Sequence, residues 1–275
     1  MNTNSNKMRH YLMLLAALVF AGCSGGSDSE PVATEVPAAE EMAEEMAPAA
    51  PDLASMLASE SRWEADRARD AGRMPADVIA FLGIEPGMNV IDLIAASGYY
   101  TEVLSFAVGA DGHVTAQNPA FVLEVREGAN DKTLNERLAD DRLSNVSRLD
   151  KEVADITAED GPFDAAVTAL NFHDVYNAFG EEAAVGMMNI VFAALKPGGV
   201  FGVIDHQGAE GNDNEALHRG MKADAIRVAE AAGFVVEGDS DLLHNPDDDM
   251  TQGVFAEGIR GHTNRFLLKL RKPAE

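Results

Sequence analysis

Val90-Ile91-Asp92-Leu93-Ile94-Ala95-Ala96-Ser97-Gly98-Tyr99-Tyr100-Thr101 is the stretch that decides the fold of this 275-residue chain. It follows the turn pair Pro86-Gly87 and passes from an apolar run through small residues into a helical pattern. A short run of branched apolar residues reads as a buried strand, and the small residues after it as a tight connection to a helix. Small side chains let a ligand approach the backbone of such a loop, and N–H groups at a helix start point toward it. The same pattern also suits a plain strand–helix turn in any α/β protein.

Strand and helix patterns alternate outward from this unit. Strands are expected over 89–94, 113–118, 146–150, 163–172 and 200–205, and two more over 234–243 and 265–271. Helices are expected over 76–82, 99–108, 131–140, 181–195 and 214–232, with Lys196-Pro197-Gly198-Gly199 as a stop signal after the fourth of these. Near-continuous apolar strands alternating with helices predict an α/β fold: a Rossmann-like, doubly wound, mainly parallel seven-stranded sheet with helices on both faces. Ligands bind such a sheet beyond the C-terminal ends of its strands.

The start of the chain reads differently. Lys7 and Arg9 precede the apolar run from Tyr11 to Ala21. That run is too short for a bilayer span of roughly 20 residues but suits the core of a signal peptide. Val19-Phe20-Ala21-Gly22-Cys23 resembles a bacterial lipobox, with Phe20 where Leu is usual. The resemblance implies cleavage before Cys23, lipidation of its thiol and attachment to a lipid bilayer. Ser24, rather than Asp, then points to the outer membrane and a domain facing the periplasm. Residues 1–22 are thus the expected signal peptide. Residues 23–51, rich in Ala, Pro and Glu, are an expected acidic tether. Residues 52–275 are the expected domain, opening with helices over 52–83. Cys23 is the single cysteine, which excludes an intrachain disulfide and a thiolate metal cluster. The formal charge of −25 argues against a nucleic-acid partner.

Four further stretches carry information: "RARDAGR" at 67–73, "GYYTE" at 98–102, "NFHD" at 171–174 and "HR" at 218–219. With Phe163-Asp164-Ala165-Ala166-Val167 and the "LKPGG" turn at 195–199, they stand in an order that resembles class I S-adenosylmethionine-dependent methyltransferases. The resemblance runs from about Arg62 to Pro273 and is nearest to a bacterial group described only as predicted methyltransferases. It implies S-adenosylmethionine as cofactor and a small-molecule methyl acceptor.

It also implies roles by position. Asp92 is the acid ending the first strand. Ala96 and Gly98 take glycine positions in the cofactor loop, and Tyr100 is counted with them. Asn118 stands where an acid usually grips the ribose, Asp150 (or Glu152) near the acid that reads the adenine, and Asn171 where the fourth strand meets the methyl donor. Ile94 stands in place of the loop's first glycine, where a β-branched side chain resists positive φ.

His173 with Asp174, and His206 with Asp205, are expected at strand ends, and His218 at the start of a helix. His173, Asp174 and His206 are the expected catalytic residues, one histidine acting as a general base. The bland reading is that these histidines cap strand ends. A metal set of His173, His206, Asp205 and His218 lacks a tight motif such as HExxH, so no metal site is expected. Trp63, Arg67, Asp70 and Arg73 read as a helix lying over the cofactor or as a plain surface helix. Asp247-Asp248-Asp249 lacks EF-hand spacing and reads as a solvated loop. The leading function is methyl transfer. A ligand-binding or scaffold lipoprotein that retains the fold is the alternative.

Overall fold

The computed structural model describes residues 52–274; the signal segment, Cys23 and the tether lie outside the described residues. Seven strands form one sheet: β1 (Asn89–Leu93), β2 (His113–Asn118), β3 (Val146–Asp150), β4 (Phe163–Ala169), β5 (Leu195–His206), β6 (Val235–Ser240) and β7 (Arg265–Arg271). Their order is β3-β2-β1-β4-β5-β7-β6. The β1, β2, β3, β4 and β5 pairings are parallel, and β7 runs antiparallel to both β5 and β6. The helices are α1 (Leu53–Ala58), α2 (Glu64–Arg73), α3 (Pro75–Leu82), α4 (Tyr99–Val108), α5 (Ala120–Leu138), α6 (Phe172–Ala194) and α7 (Lys222–Ala231).

Burial on both faces explains the apolar strands. Val90 and Ile91 are neighbours in β1, yet Val90 joins the core under α3 and α4 while Ile91 joins the core under α6 and α7. Phe201 and Ile204 divide in the same way on β5. Each fully buried Val, Leu, Ile or Phe contributes roughly 1.5–3 kcal/mol, so the sheet is driven together from both sides. Pro75 starts α3 at its first turn and Gly83, at φ 72°, ends it. Among the described residues no helix is long and apolar enough to cross a membrane.

Three expectations are corrected. The fourth strand stops at Ala169 because Leu170 adopts φ 65° and turns the chain, so Phe172 and His173 open α6 instead of ending a strand. The fifth strand begins at Leu195, which already pairs with Phe163; residues 196–199 form an irregularity before the pairing resumes at Val200. The helix expected from 214 begins only at Lys222; His218 sits before it in a turn at φ 53°.

Candidate functional site

The connection after β1 holds three left-handed residues: Ile94 (φ 58°), Ala96 (φ 51°) and Gly98 (φ 82°). Glycine is needed at 98, where a Cβ would come within 2.8 Å of the Leu134 side chain. Ile94 keeps its costly φ while its side chain is buried in the core cluster that also holds Val122 and Phe172. The neighbouring strand pins the loop. Gln117 Oε1 accepts from the Ile94 N–H (3.0 Å), and the Gln117 carbonyl accepts from the Ala95 N–H (2.9 Å). Asn118 Oδ1 accepts from the Ala96 N–H (2.8 Å), while its Nδ2 donates to the Ala96 carbonyl (3.3 Å). The Gly98 N–H donates to Ala95 O. The expectation that loop amides stand free for a ligand is therefore corrected at these four residues. Gln117 is a loop-holding residue that sequence reasoning misses, since its only signal is a second amide beside Asn118.

Asp92, at the end of β1, is buried and accepts from the Thr101 hydroxyl of α4 (2.6 Å). Burial raises its carboxyl, against that bond and the more distant Arg137 and Arg73, to about 7. Asn171 Nδ2 bridges the ends of β4 and β1 through Ala169 O (3.0 Å) and Ile94 O (3.2 Å). Tyr100 is buried and packs edge-on against Tyr99, and burial pushes its hydroxyl up to about 12. Asp92, Ile94, Ala96, Tyr100 and Asn171, together with Arg69 and Arg73 of α2, line one cavity of about 220 Å³. Asp150 stands outside it, exposed and paired with Arg148 (2.9 Å), and Glu152 Oε1 accepts from the Ala120 N–H.

Helix α2 lies against this loop through charge. Tyr99 donates its hydroxyl proton to Asp70 (2.5 Å), and Arg69 and Arg73 lie 4.7 and 4.3 Å from the centre of the Tyr99 ring. Asp70 is paired with the buried Arg62. Arg137, also buried, pairs with Glu102 and with Asp66 (2.7 Å), stacks on Trp63 and donates to Ser97 O (3.0 Å). Arg142 holds the other oxygen of Glu102.

A second cluster lies at the ends of β4 and β5. Asp205, fully buried, accepts from the His173 backbone N–H (2.6 Å) and faces His173 Nδ1 at 2.8 Å. His173 Nε2 is 3.2 Å from Asp174 Oδ1, which is 3.5 Å from His218 Nδ1. Burial works to lower the His173 pKa, but Asp174 and Asp205 outweigh it and raise it to about 10. The two carboxylates thus favour the charged ring at His173, and an imidazolium has no lone pair to accept a proton. His206 is the opposite case. Burial, then the nearby cations, lower it to about 2, and its Nδ1 meets Thr263 Oγ1 at 2.7 Å. It is neutral and lines a cavity of about 500 Å³ with Phe255 and Arg265. That cavity shares Arg69, Arg73 and Leu170 with the one at Asp92.

The aspartate run at 247–249 is not wholly solvated. Asp248 is buried and takes both terminal nitrogens of Arg219, at 2.8 and 3.0 Å. This pair, 29 residues apart in sequence, ties the loop after β6 to the "HR" stretch.

No family model matches the chain. It is similar to the ubiquinone/menaquinone biosynthesis C-methyltransferase UbiE of Shewanella pealeana, 26% identical over 189 residues, which are 68% of this chain and 65% of that protein. Less than two thirds of that relative's length is thus spanned. Among solved structures it is similar to an S-adenosylmethionine-dependent methyltransferase from Aquifex aeolicus, with TM-score 0.52, 19% identity, and 72% of this chain and 89% of that one covered. It is also similar to an S-adenosylmethionine-dependent O-methyltransferase from Thermotoga maritima, with TM-score 0.50, 17% identity, and 82% and 72% covered. With the sheet order above, these likenesses establish the Rossmann-like fold of class I methyltransferases.

Proposed function

We propose that the chain is an S-adenosylmethionine-dependent methyltransferase acting on a small molecule. The observation that carries this is Asp92: a buried carboxyl raised to about 7, lining a cavity at the end of β1 beside the left-handed loop. A buried acid without a full counter-charge favours a cationic ligand. S-adenosylmethionine brings an ammonium and a sulfonium, and when bound it supplies an electrophilic methyl group. Arg69 and Arg73 offer guanidinium groups to its carboxylate. The 220 Å³ cavity is small for such a ligand, given a usual range of about 300–1,000 Å³, but the adjoining cavity extends it. Rate enhancement would come mainly from holding the acceptor in line with the methyl group. The methyltransferases that resemble this chain in sequence and in fold support the same function.

Within this proposal Asp92, Ala96, Tyr100 and Asn171 surround the cofactor, while Gly98, outside the cavity lining, lets the loop turn against Leu134 and Arg137. Asn118 acts by shaping the loop, and Asp150 reaches the cofactor only if its pairing with Arg148 opens. His206 is the neutral histidine available to the acceptor.

Titration calorimetry of the purified full-length chain with S-adenosylmethionine and S-adenosylhomocysteine tests the function. Saturable binding lost in Asp92→Ala supports it, and no heat with either ligand at millimolar concentration ends it. The scaffold alternative draws on the loop amides spent internally by Ile94, Ala95, Ala96 and Gly98. Methyl transfer to an envelope extract, abolished by Asp92→Ala, would eliminate that alternative.

We further propose that Cys23 is acylated and anchors the protein to the envelope, facing the periplasm from the outer membrane. Labelled palmitate should enter the wild-type protein and not Cys23→Ser. Equal labelling of both would refute the anchor.

A further inference from the structure

We propose that His173, Asp174 and His218 bind one divalent transition-metal ion of the zinc class at the edge of the cleft. This site stands on its own geometry and does not rest on methyl transfer. Two imidazoles and one carboxylate are a donor set suited to zinc and its neighbours rather than to calcium or magnesium.

The spacing supports an ion. Zinc bonds of about 2.0–2.1 Å in a tetrahedral arrangement place ligand atoms roughly 3.3–3.4 Å apart. His173 Nε2 and Asp174 Oδ1 are 3.2 Å apart, and Asp174 Oδ1 and His218 Nδ1 are 3.5 Å apart. All three donor atoms lie within 4.8 Å of one another. A direct charged N–H···O bond is shorter, about 2.7–2.9 Å. His173 shows such a bond on its other side, where Nδ1 meets Asp205 at 2.8 Å.

That second contact has its own meaning. A metal-bound histidine generally donates its remaining ring N–H to a carboxylate, which fixes its tautomer and orientation. Asp205 is fully buried and further fixed by the backbone N–H groups of His173 (2.6 Å) and His206 (2.7 Å). It leaves Nε2 of His173 as the atom offered to an ion, which on binding displaces the Nε2 proton to solvent. Asp174 and His218 are exposed enough for entry from water, at 59% and 49%. His218 lies in a turn outside the helices, so it can close on the ion. With three protein ligands, the remaining coordination position takes a water or an oxygen atom of a bound molecule, the arrangement of catalytic rather than structural zinc sites. The His218 ring packs on Phe255, which lines the His206 cavity, so the ion would border the space where an acceptor binds.

The test uses the untagged full-length chain, stripped with chelator, dialysed and titrated with Co²⁺ and then Zn²⁺. One equivalent of Co²⁺ should develop a visible absorption band, and Zn²⁺ should displace it. His218→Ala and Asp174→Asn, checked for folding by circular dichroism, should each weaken binding at least tenfold, while His113→Ala on β2 should bind as wild type. Absence of one-equivalent binding of either ion overturns the proposal. So does undiminished binding in both His218→Ala and Asp174→Asn.

Discussion

The two clusters at the C-terminal ends of the strands are held in opposite ways. Around α2 the acids meet arginines: half-buried Asp70 meets Arg62, buried Asp66 and Glu102 meet Arg137, and Glu102 also meets Arg142. The histidine cluster pairs the acids Asp174 and Asp205 with imidazoles and not with arginines, and His218 and Asp174 are half open to water. A buried ion network fixes a shape, because breaking it strands charges away from water. A half-open imidazole–carboxylate cluster tolerates change in what it holds. The first region thus keeps helix and loop in register, and the second is where the proposed ion would bind.

The largest test of this contrast removes Arg137. Arg137→Ala leaves Asp66 and Glu102 without their shared partner and should cost about 3–5 kcal/mol in urea unfolding. A loss under about 1 kcal/mol would put the network on a par with surface ion pairs.

Asp92→Asn should act in the opposite direction. The folded carboxyl titrates near 7, above the ordinary aspartate value of 3.8. The folded state thus binds the proton more tightly, and stability falls as pH rises from about 4 to 7 and is flat beyond. At about 1.4 kcal/mol per pH unit, the amide should recover on the order of 2–4 kcal/mol at pH 8, read as a higher Tm, while losing S-adenosylmethionine binding. An unchanged Tm at pH 8 would show that the carboxyl is not the strained group of the cradle.

Ile94→Gly sets two effects against each other. Relief of left-handed strain returns roughly 1–2 kcal/mol, and loss of a buried Ile costs roughly 2–5 kcal/mol. The net loss should be about 1–3 kcal/mol, with tighter binding of S-adenosylmethionine as space opens. Weaker binding would show that the Ile94 side chain helps hold the ligand.

The affinity of the wild-type protein for that cofactor should also fall about tenfold per pH unit below 7, as Asp92 protonates. A wild-type profile that stays level down to pH 5 would separate Asp92 from the cation. The smallest effect belongs to the second cluster: His218→Ala should change stability by no more than about 0.5 kcal/mol, since the ring is half exposed.

Part of this arrangement is legible in the amino-acid sequence alone. The helix over 99–108 and the strands over 113–118, 146–150 and 265–271 have the bounds that their patterns predict. Branched apolar runs between turn signals admit little else. The strand pattern over 163–172 overshoots because Leu170 and Phe172 are as apolar as a strand requires, and only the left-handed turn at Leu170 shows where the strand stops. The helix expected over 131–140 begins at Ala120 and contains a left-handed interruption from Arg126 to Gly128, which has no clear signature in composition.

The sequence by itself determined the layering, the loop after the first strand and the residue types at the strand ends, because these depend on local periodicity and on small side chains in one stretch. Tertiary structure alone decided who meets whom. Asp205 lies 32 residues from His173, and Arg137 lies 35 from Glu102. The β1–β4 pairing that places Asn171 beside Ile94 spans 75 residues. Contacts of that range follow from strand order and from which charges can be buried together, and neither leaves a period in the chain.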